Sequence, residues 1–250
     1  MKNKSKVIIS ILILVILALL GFVLKRNSSI PNIENVNIKD NESSSPIIIK
    51  KESIKENNFS GTKPLITGSG TLVDTTKSYI DQRVKEFRVQ ANNDVPDMKK
   101  NFGNDSPIAK YTIDINARYT KSDNTESIII DEYVYTGGAN GNSSYKVFTS
   151  SLSSQKILSL SDVVEISKQD SFTSLVKKEL MNWRPEGNKE SVVFPDEVET
   201  LTFNSFRNWS FSGNNLVIYF DKYEIGPGSI GASAFPIPYT KIKDFLVKAY

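Results

Sequence analysis

Three stretches rich in apolar residues, the clearest of which alternates between hydrophobic and polar positions, predict β-strands. Two of them, Lys110–Lys121 and Ser127–Tyr135, flank the polar turn Ser122–Asn124 and predict an antiparallel hairpin with one buried face. The third, Leu216–Asp221, places Leu, Ile and Phe on one side and Val, Tyr and Asp on the other. An aromatic-rich stretch, Phe203–Phe211, is its predicted partner strand.

Further strands are predicted from shorter patterns. Ile47–Ile49 is a candidate first strand, and Tyr145–Thr149 with Gln155–Leu158 predicts a second hairpin around serine-rich turns. After Gly226-Pro227-Gly228, regular pairing is expected to end, because proline lacks a backbone donor. We therefore expect a loop of small residues to Ala234, with residues 235–239 leading into a last helix.

A helical period predicts three helices. In the first, which begins at an N-cap among Asp74, Thr75 and Thr76 and ends near residue 91, four apolar residues share one face: Ile80, Val84, Phe87 and Ala91. The others cover 170–183 and 240–250, the last with Ile242, Phe245, Leu246 and Ala249 facing inward. Hairpins and helices without regular β-α-β alternation predict an α+β fold with mainly antiparallel sheets and packed helices.

The N-terminus carries a separate hydrophobic block. Val7–Leu24 contains eighteen uncharged residues, which as a helix would span about 27 Å, close to the hydrocarbon thickness of a bilayer. A cleaved signal peptide is the alternative, but no small-x-small cleavage site is evident near Ala18–Gly21. We predict one transmembrane anchor at 7–24, with a cytoplasmic stub at 1–6, the N-terminus inside and the bulk of the chain extracytoplasmic. A polar linker follows at 25–48, then two α+β modules at 49–150 and 151–250.

Composition narrows the possible chemistry. Cysteine and histidine are both absent, which excludes disulfides, cysteine nucleophiles, imidazole metal ligands and every Ser-His-Asp triad. Of the 31 basic residues, five lie within residues 1–26, leaving 26 against 28 acidic residues and a net charge of −2 for the remainder. We therefore expect no nucleic-acid partner. No calcium-loop or phosphate-loop spacing is present, so no metal or cofactor is predicted.

Carboxylates are the main acid-base groups that remain. Asp131 or Glu132 together with Glu224 could in principle form a glycosidase-like pair. Adjacent strand residues point to opposite faces, however, so Asp131 and Glu132 are not expected to line one cleft without a bulge. A solvated strand face is the simpler interpretation.

Tyrosines lie in or beside two glycine-rich stretches, Gly137–Asn142 and Gly226–Gly231. Tyrosine packs an apolar ring and still forms hydrogen bonds, a composition typical of protein or glycan recognition. Ordinary half-buried strand residues are the alternative interpretation. The candidate binding residues are Tyr135, Gly137, Gly138, Asn140, Tyr145, Tyr223, Glu224, Pro227 and Tyr239.

Three segments, Tyr135–Asn142, Tyr223–Gly231 and Phe235–Tyr239, resemble signature segments of a bacterial exported family of unknown function. This two-module region occurs in the extracytoplasmic part of RsiV-type lysozyme-sensing anti-sigma factors and in the non-catalytic region of PdaC-type peptidoglycan deacetylases. The resemblance covers residues 50–248, but Asn140 stands where the family usually has histidine. It implies the fold, a cell-surface location, and binding to cell-wall glycan or lysozyme-like proteins, but neither sigma-factor regulation nor deacetylation.

The leading hypothesis is a membrane-anchored extracytoplasmic module that binds peptidoglycan or a lysozyme-like protein, without catalysis. The alternatives are a cell-wall glycan hydrolase using the carboxylate pair, and an assembly module that interacts through an edge strand. The sequence leaves the oligomeric state open.

Overall fold

The computed structural model describes residues 47–106, 110–185, 190–248 and 250. The strands are β1 (Ile48–Lys55), β2 (Phe59–Thr67), β3 (Tyr111–Lys121), β4 (Thr125–Tyr135), β5 (Asn142–Ser151), β6 (Ile157–Leu158), β7 (Trp209–Ser212), β8 (Asn215–Phe220) and β9 (Ser233–Pro238). The α-helices are α1 (Thr71–Phe102), α2 (Gln169–Met181), α3 (Pro195–Thr200) and α4 (Tyr239–Ile242). Single 3₁₀ turns occur at Leu160–Asp162, Ile166–Lys168, Phe203–Ser205, Gly228–Ile230 and Lys243–Phe245.

The predicted stub and anchor, residues 1–24, lie outside the described residues, as does the linker up to residue 46. Within the part of the chain that is described, no helix is both long and apolar enough to cross a membrane. The division into modules at residue 150 stays a prediction.

Strands β1 to β6 form one sheet in sequence order. Only β2 and β3 run parallel, and α1 connects them, as a parallel pair requires a long crossover. The other neighbours are antiparallel, and the predicted hairpin is confirmed as β3–β4. The predicted α+β class with mainly antiparallel sheets is therefore confirmed.

Helix α1 covers one face of this sheet. The predicted stripe is buried, and the Phe87 ring meets that of Phe59 edge-on at 5.2 Å. The predicted helix boundaries were too narrow, because α1 begins after Gly70 and continues through Pro96 to Phe102. The predicted N-caps Asp74, Thr75 and Thr76 were wrong, since all three lie within the helix and the Thr76 hydroxyl donates to the Leu72 carbonyl.

The second sheet, β7-β8-β9, is antiparallel and smaller. Leu216, Ile218 and Phe220 of β8 are fully buried on its outer face, as the alternation predicts. They share a core with the apolar stripe of α2, formed by Phe172, Val176 and Leu180. The helices on this side are thus the outer layer of the second sheet.

The inner faces of the two sheets pack against each other. Along β4, Ile128 and Ile130 face α1, whereas Ile129 between them contacts the second sheet. Tyr219 of β8 and Val147 of β5 complete this small inner cluster. The described chain therefore has four layers: α1, the six-stranded sheet, the three-stranded sheet, and the layer containing α2.

Side chains from the second half cover the outer edge of β5. The Asn208 amide accepts from the Val147 N–H at 3.2 Å and donates to the Tyr145 carbonyl at 2.9 Å. The Asp221 carboxylate accepts from the Tyr145 N–H at 2.7 Å, and the Lys222 N–H donates to the Ser143 carbonyl at 3.0 Å. Strand β6 pairs with only two residues of β5. Beyond them, these hydrogen bonds occupy the backbone groups of β5 that a neighbouring strand would otherwise bind.

Several local predictions were wrong. The segment predicted as loop and lead-in contains β9, which pairs with β8; it is an edge strand, so Pro236 and Pro238 are tolerated. The last helix stops at Ile242, because the chain then forms a 3₁₀ turn and Leu246 bridges to Val164. Ala249, predicted to face inward, lies outside the described residues. Phe203–Phe211 is a strand only from Trp209, and β2 was missed.

Candidate ligand-binding cleft

The two glycine-rich stretches meet at one cleft. Its volume is about 340 Å³, and it lies between the loop that joins β4 to β5 (residues 136–141, the first loop) and the loop that joins β8 to β9 (residues 221–232, the second loop). The lining is formed by Tyr133, Tyr135, Ala139, Asn140, Gly141, Ser143, Lys222, Gly228, Ser229, Ile230 and Gly231. It is mostly neutral and polar, with tyrosine rings on one side.

Strand β4 places both tyrosines of the lining. Odd-numbered residues of β4 face away from α1, so Tyr133 and Tyr135 follow Ile129 on the same face. The Tyr135 hydroxyl donates to the Gly138 carbonyl at 2.9 Å and so holds the first loop. Tyr133 lies against Gly141, where a Cβ would come within 2.3 Å of its ring. Glycine at 141 is therefore what lets the ring lie there.

The second loop is built in a similar way around Tyr223. This residue has φ +71°, an uncommon conformation for a side chain of this size, and it is 59% exposed. Its ring lies on Gly228, where a Cβ would come within 2.2 Å of it. At Gly226 the close neighbour is backbone rather than a side chain, since a Cβ there would come within 2.6 Å of the Val192 carbonyl oxygen. Tyr223 stands next to the cleft rather than in its lining.

Lys222 connects the two loops. Its ammonium donates to the Gly141 carbonyl at 2.7 Å, and it lies 4.9 Å from the centre of the Tyr223 ring. The half-buried side chain therefore brings a positive charge to the cleft at a fixed position.

The carboxylates proposed for catalysis point elsewhere. Glu132 is buried on the α1 side and receives two hydrogen bonds from Arg83, at 2.6 and 3.1 Å, which raise the pKa of the guanidinium. Asp131 lies on the opposite face and accepts from Asn116 at 2.9 Å. Glu224 accepts from the backbone N–H of Asp221 at 2.8 Å. Burial raises the pKa of Glu224, although that hydrogen bond opposes the shift.

Only some of the predicted site residues come together. Tyr135 and Asn140 line the cleft; Gly137 and Gly138 lie in the first loop, and Tyr223, Glu224 and Pro227 lie in the second.

The other two predicted tyrosines lie elsewhere. Tyr145 is between the sheets, with its ring 5.1 Å from that of Tyr219, and burial raises its pKa. Tyr239 begins α4, and its hydroxyl donates to the Tyr250 carbonyl at 3.3 Å.

Sequence reasoning missed several lining residues, above all Tyr133 and Lys222. Tyr133 has the same parity as Tyr135, so the strand period alone could have found it. Lys222 gave no such signal, because its position depends on where the second loop meets Gly141. Within the described ranges, no group of three acidic side chains is arranged to hold a metal ion.

The fold and cleft together define a four-layer α+β protein in which two glycine-rich loops meet at one cleft. Residues 23–143 match the family model described as deacetylase PdaC, and residues 161–240 match the protein family of unknown function DUF3298. The two-module resemblance proposed from the sequence is thereby confirmed.

Individual proteins show the same similarity. Over 130 residues the chain is 27% identical to the peptidoglycan-N-acetylmuramic acid deacetylase PdaC of Bacillus subtilis, covering 50% of this chain but only 27% of that protein. Crystal structures of DUF3298 family members from Bacteroides fragilis and Pseudomonas aeruginosa share the fold. Their TM-scores are 0.57 and 0.53 and their identities 18% and 13%. The matches cover 83% and 84% of this chain, and 94% and 96% of the crystal chains.

Proposed function

We propose that this protein is an extracytoplasmic module of the cell envelope that binds cell-wall glycan in the cleft between its two loops. The observation that carries the proposal is the convergence of the loops on a cleft of neutral polar groups flanked by Tyr133 and Tyr135. Sugar rings present hydroxyl groups around an apolar face, and tyrosines beside amide and hydroxyl groups match both.

The relative's name supports the choice of ligand class. The similar protein from Bacillus subtilis is named for action on N-acetylmuramic acid of peptidoglycan. The proposed role here is binding without catalysis, with residues 7–24 as a single-pass anchor, the N-terminus inside and residues 49–250 outside the membrane. The peptidoglycan layer would then be within reach of the cleft.

Sedimentation of the full chain, in detergent, with purified peptidoglycan tests the proposal. Tyr133→Ala is expected to weaken binding about fivefold or more, since a central aromatic residue typically contributes over about 1 kcal/mol. Tyr119→Ala is the matched control, because Tyr119 is 38% exposed on β3, close to the 40% of Tyr133, but does not line the cleft.

A lysozyme-like protein is the second ligand, favoured by the exposed ring of Tyr223 beside the cleft. Titration of the same chain with lysozyme separates the two ligands, and Tyr223→Ala should weaken this interaction more than the binding of peptidoglycan. If the chain binds neither peptidoglycan nor lysozyme more strongly than an unrelated control protein does, the binding proposal is wrong.

The alternative of a glycan hydrolase gains no support from the cleft. Glu132 forms its hydrogen bonds with Arg83, and Glu224 accepts a hydrogen bond within its own turn. Among the described residues that line the cleft there is no carboxylate. Release of soluble sugar from peptidoglycan by the purified chain would reopen this alternative.

A further inference from the structure

We propose that the cleft selects a carboxylate-bearing form of its cell-wall ligand, and that Lys222 is the residue that binds the carboxylate. This inference rests on the proposed function and specifies the chemistry of that same site. It begins from an imbalance of charge: the described residues that line the cleft supply one ammonium group and no acidic side chain.

The two acidic residues nearest to Lys222 in the chain are already engaged elsewhere. The Asp221 carboxylate accepts from the Tyr145 N–H at 2.7 Å and lies 3.8 Å from Arg207. The Glu224 carboxylate accepts from the Asp221 N–H and lies 3.9 Å from the same guanidinium. Among the described residues, no carboxylate forms an ion pair with Lys222.

The position of the ammonium is also fixed. One of its three N–H groups donates to the Gly141 carbonyl at 2.7 Å, and the Tyr223 ring lies 4.9 Å from the nitrogen. Among the described residues no other acceptor binds this ammonium, so two N–H groups are available for a ligand. A half-buried ammonium with no counter-charge binds an anion more strongly than an exposed one, because solvent screens it less.

Neutral groups around Lys222 suit the remainder of such a ligand. Ser143 and Ser229 supply hydroxyl groups, Asn140 supplies an amide, and Tyr133 supplies an apolar ring surface. A saccharide that carries a carboxylate presents all the complementary groups. In peptidoglycan that carboxylate is either the lactyl group of N-acetylmuramic acid or a carboxylate of the stem peptide.

The experiment measures binding to the full chain in detergent by titration calorimetry. Four probes are compared: a peptide-free peptidoglycan tetrasaccharide with free lactyl carboxylates, its methyl ester, chitotetraose, and the free stem peptide. We expect a carboxylate probe to bind about tenfold or more tighter than the ester and chitotetraose, as for one charge-assisted hydrogen bond. The tetrasaccharide and stem-peptide arms identify the source of the carboxylate.

Variants assign the preference to Lys222. Lys222→Gln should abolish it, whereas Lys222→Arg should retain most of it. Lys177→Gln is the matched control, since the Lys177 ammonium also donates to a backbone carbonyl, that of Glu199 at 2.6 Å, but lies outside the cleft. It should leave all affinities unchanged.

The outcomes separate the two proposals. If neither the tetrasaccharide acid nor the stem peptide binds more tightly than the ester and chitotetraose, or if the preference survives in Lys222→Gln, the role of Lys222 is overturned while glycan binding stands. Binding of no probe, together with no sedimentation on peptidoglycan, would overturn both. If Lys222→Gln does not fold, wild-type affinities for the carboxylate probes and the ester at low and high salt decide, because a carboxylate–ammonium contact weakens with salt and the ester forms none.

Discussion

The two loops of the cleft are held in different ways. The second loop is fixed from behind: Ile225 is buried, its carbonyl accepts from the Phe194 N–H at 2.8 Å, and Gly226 lies against the Val192 carbonyl. The first loop has no buried residue, and bonds from Tyr135 and Lys222 hold it. We conclude that the second loop is the more firmly held side of the cleft, and that the first loop depends on its contacts with Tyr135 and Lys222.

The largest expected effect on stability comes from comparing two glycine-to-alanine substitutions, one in each loop. Gly226→Ala should lower the free energy of unfolding by about 2–3 kcal/mol, because the new Cβ would come within 2.6 Å of the Val192 carbonyl oxygen, a backbone atom. Gly138→Ala in the first loop should cost only about 1 kcal/mol, since φ is +102° but nothing lies within 4 Å of the Cβ. Urea denaturation measures both. Equal losses would show that the loops are held alike.

A smaller effect is expected where the second loop begins. Asp221→Ala leaves the Tyr145 N–H without its acceptor and should cost about 1–2 kcal/mol. Asp221→Asn keeps an oxygen in that place, so it should cost less than the alanine variant. If the two variants are equally stable in urea denaturation, the bond to β5 does not hold the second loop.

The smallest effect concerns pH. Burial raises the pKa of Glu224 above its ordinary value of 4.5, so the protonated form stabilises the fold. That contribution is complete below pH 4.5 and is lost as the pH rises through the raised pKa. Relative to Glu224→Gln, which keeps the acceptor for the Asp221 N–H, the wild type should become less stable over this range. A wild type that instead gains stability relative to the variant would contradict the burial argument.

The elements that the sequence predicts well are those whose periodicity is uninterrupted. In β3, apolar and polar residues alternate over most of the strand, and in α1 the stripe from Ile80 to Ala91 is regular. Elements set by tertiary contacts were missed. The prolines of β9 suggest a loop, and only its place at the edge of β8 allows it to be a strand.

The cleft shows the same limit. Both loops could be identified from their glycines and tyrosines, but Tyr145 and Tyr239 were grouped with them only because they are near in sequence. The structure places Tyr145 between the sheets and Tyr239 on α4. Conversely, Lys222 reaches Gly141 across 81 positions of the chain, a contact that no local pattern encodes.

The hydrogen bonds from Asn208 and Asp221 to β5 have a consequence for association between copies. An uncovered edge strand recruits a strand from another chain, which leads to swapped dimers or fibrils. Along β5 that recruitment site is occupied from within, by an amide and a carboxylate that bind the strand's backbone as a neighbouring peptide would. Resistance to aggregation during folding would then depend on how soon the second half docks after the first has folded.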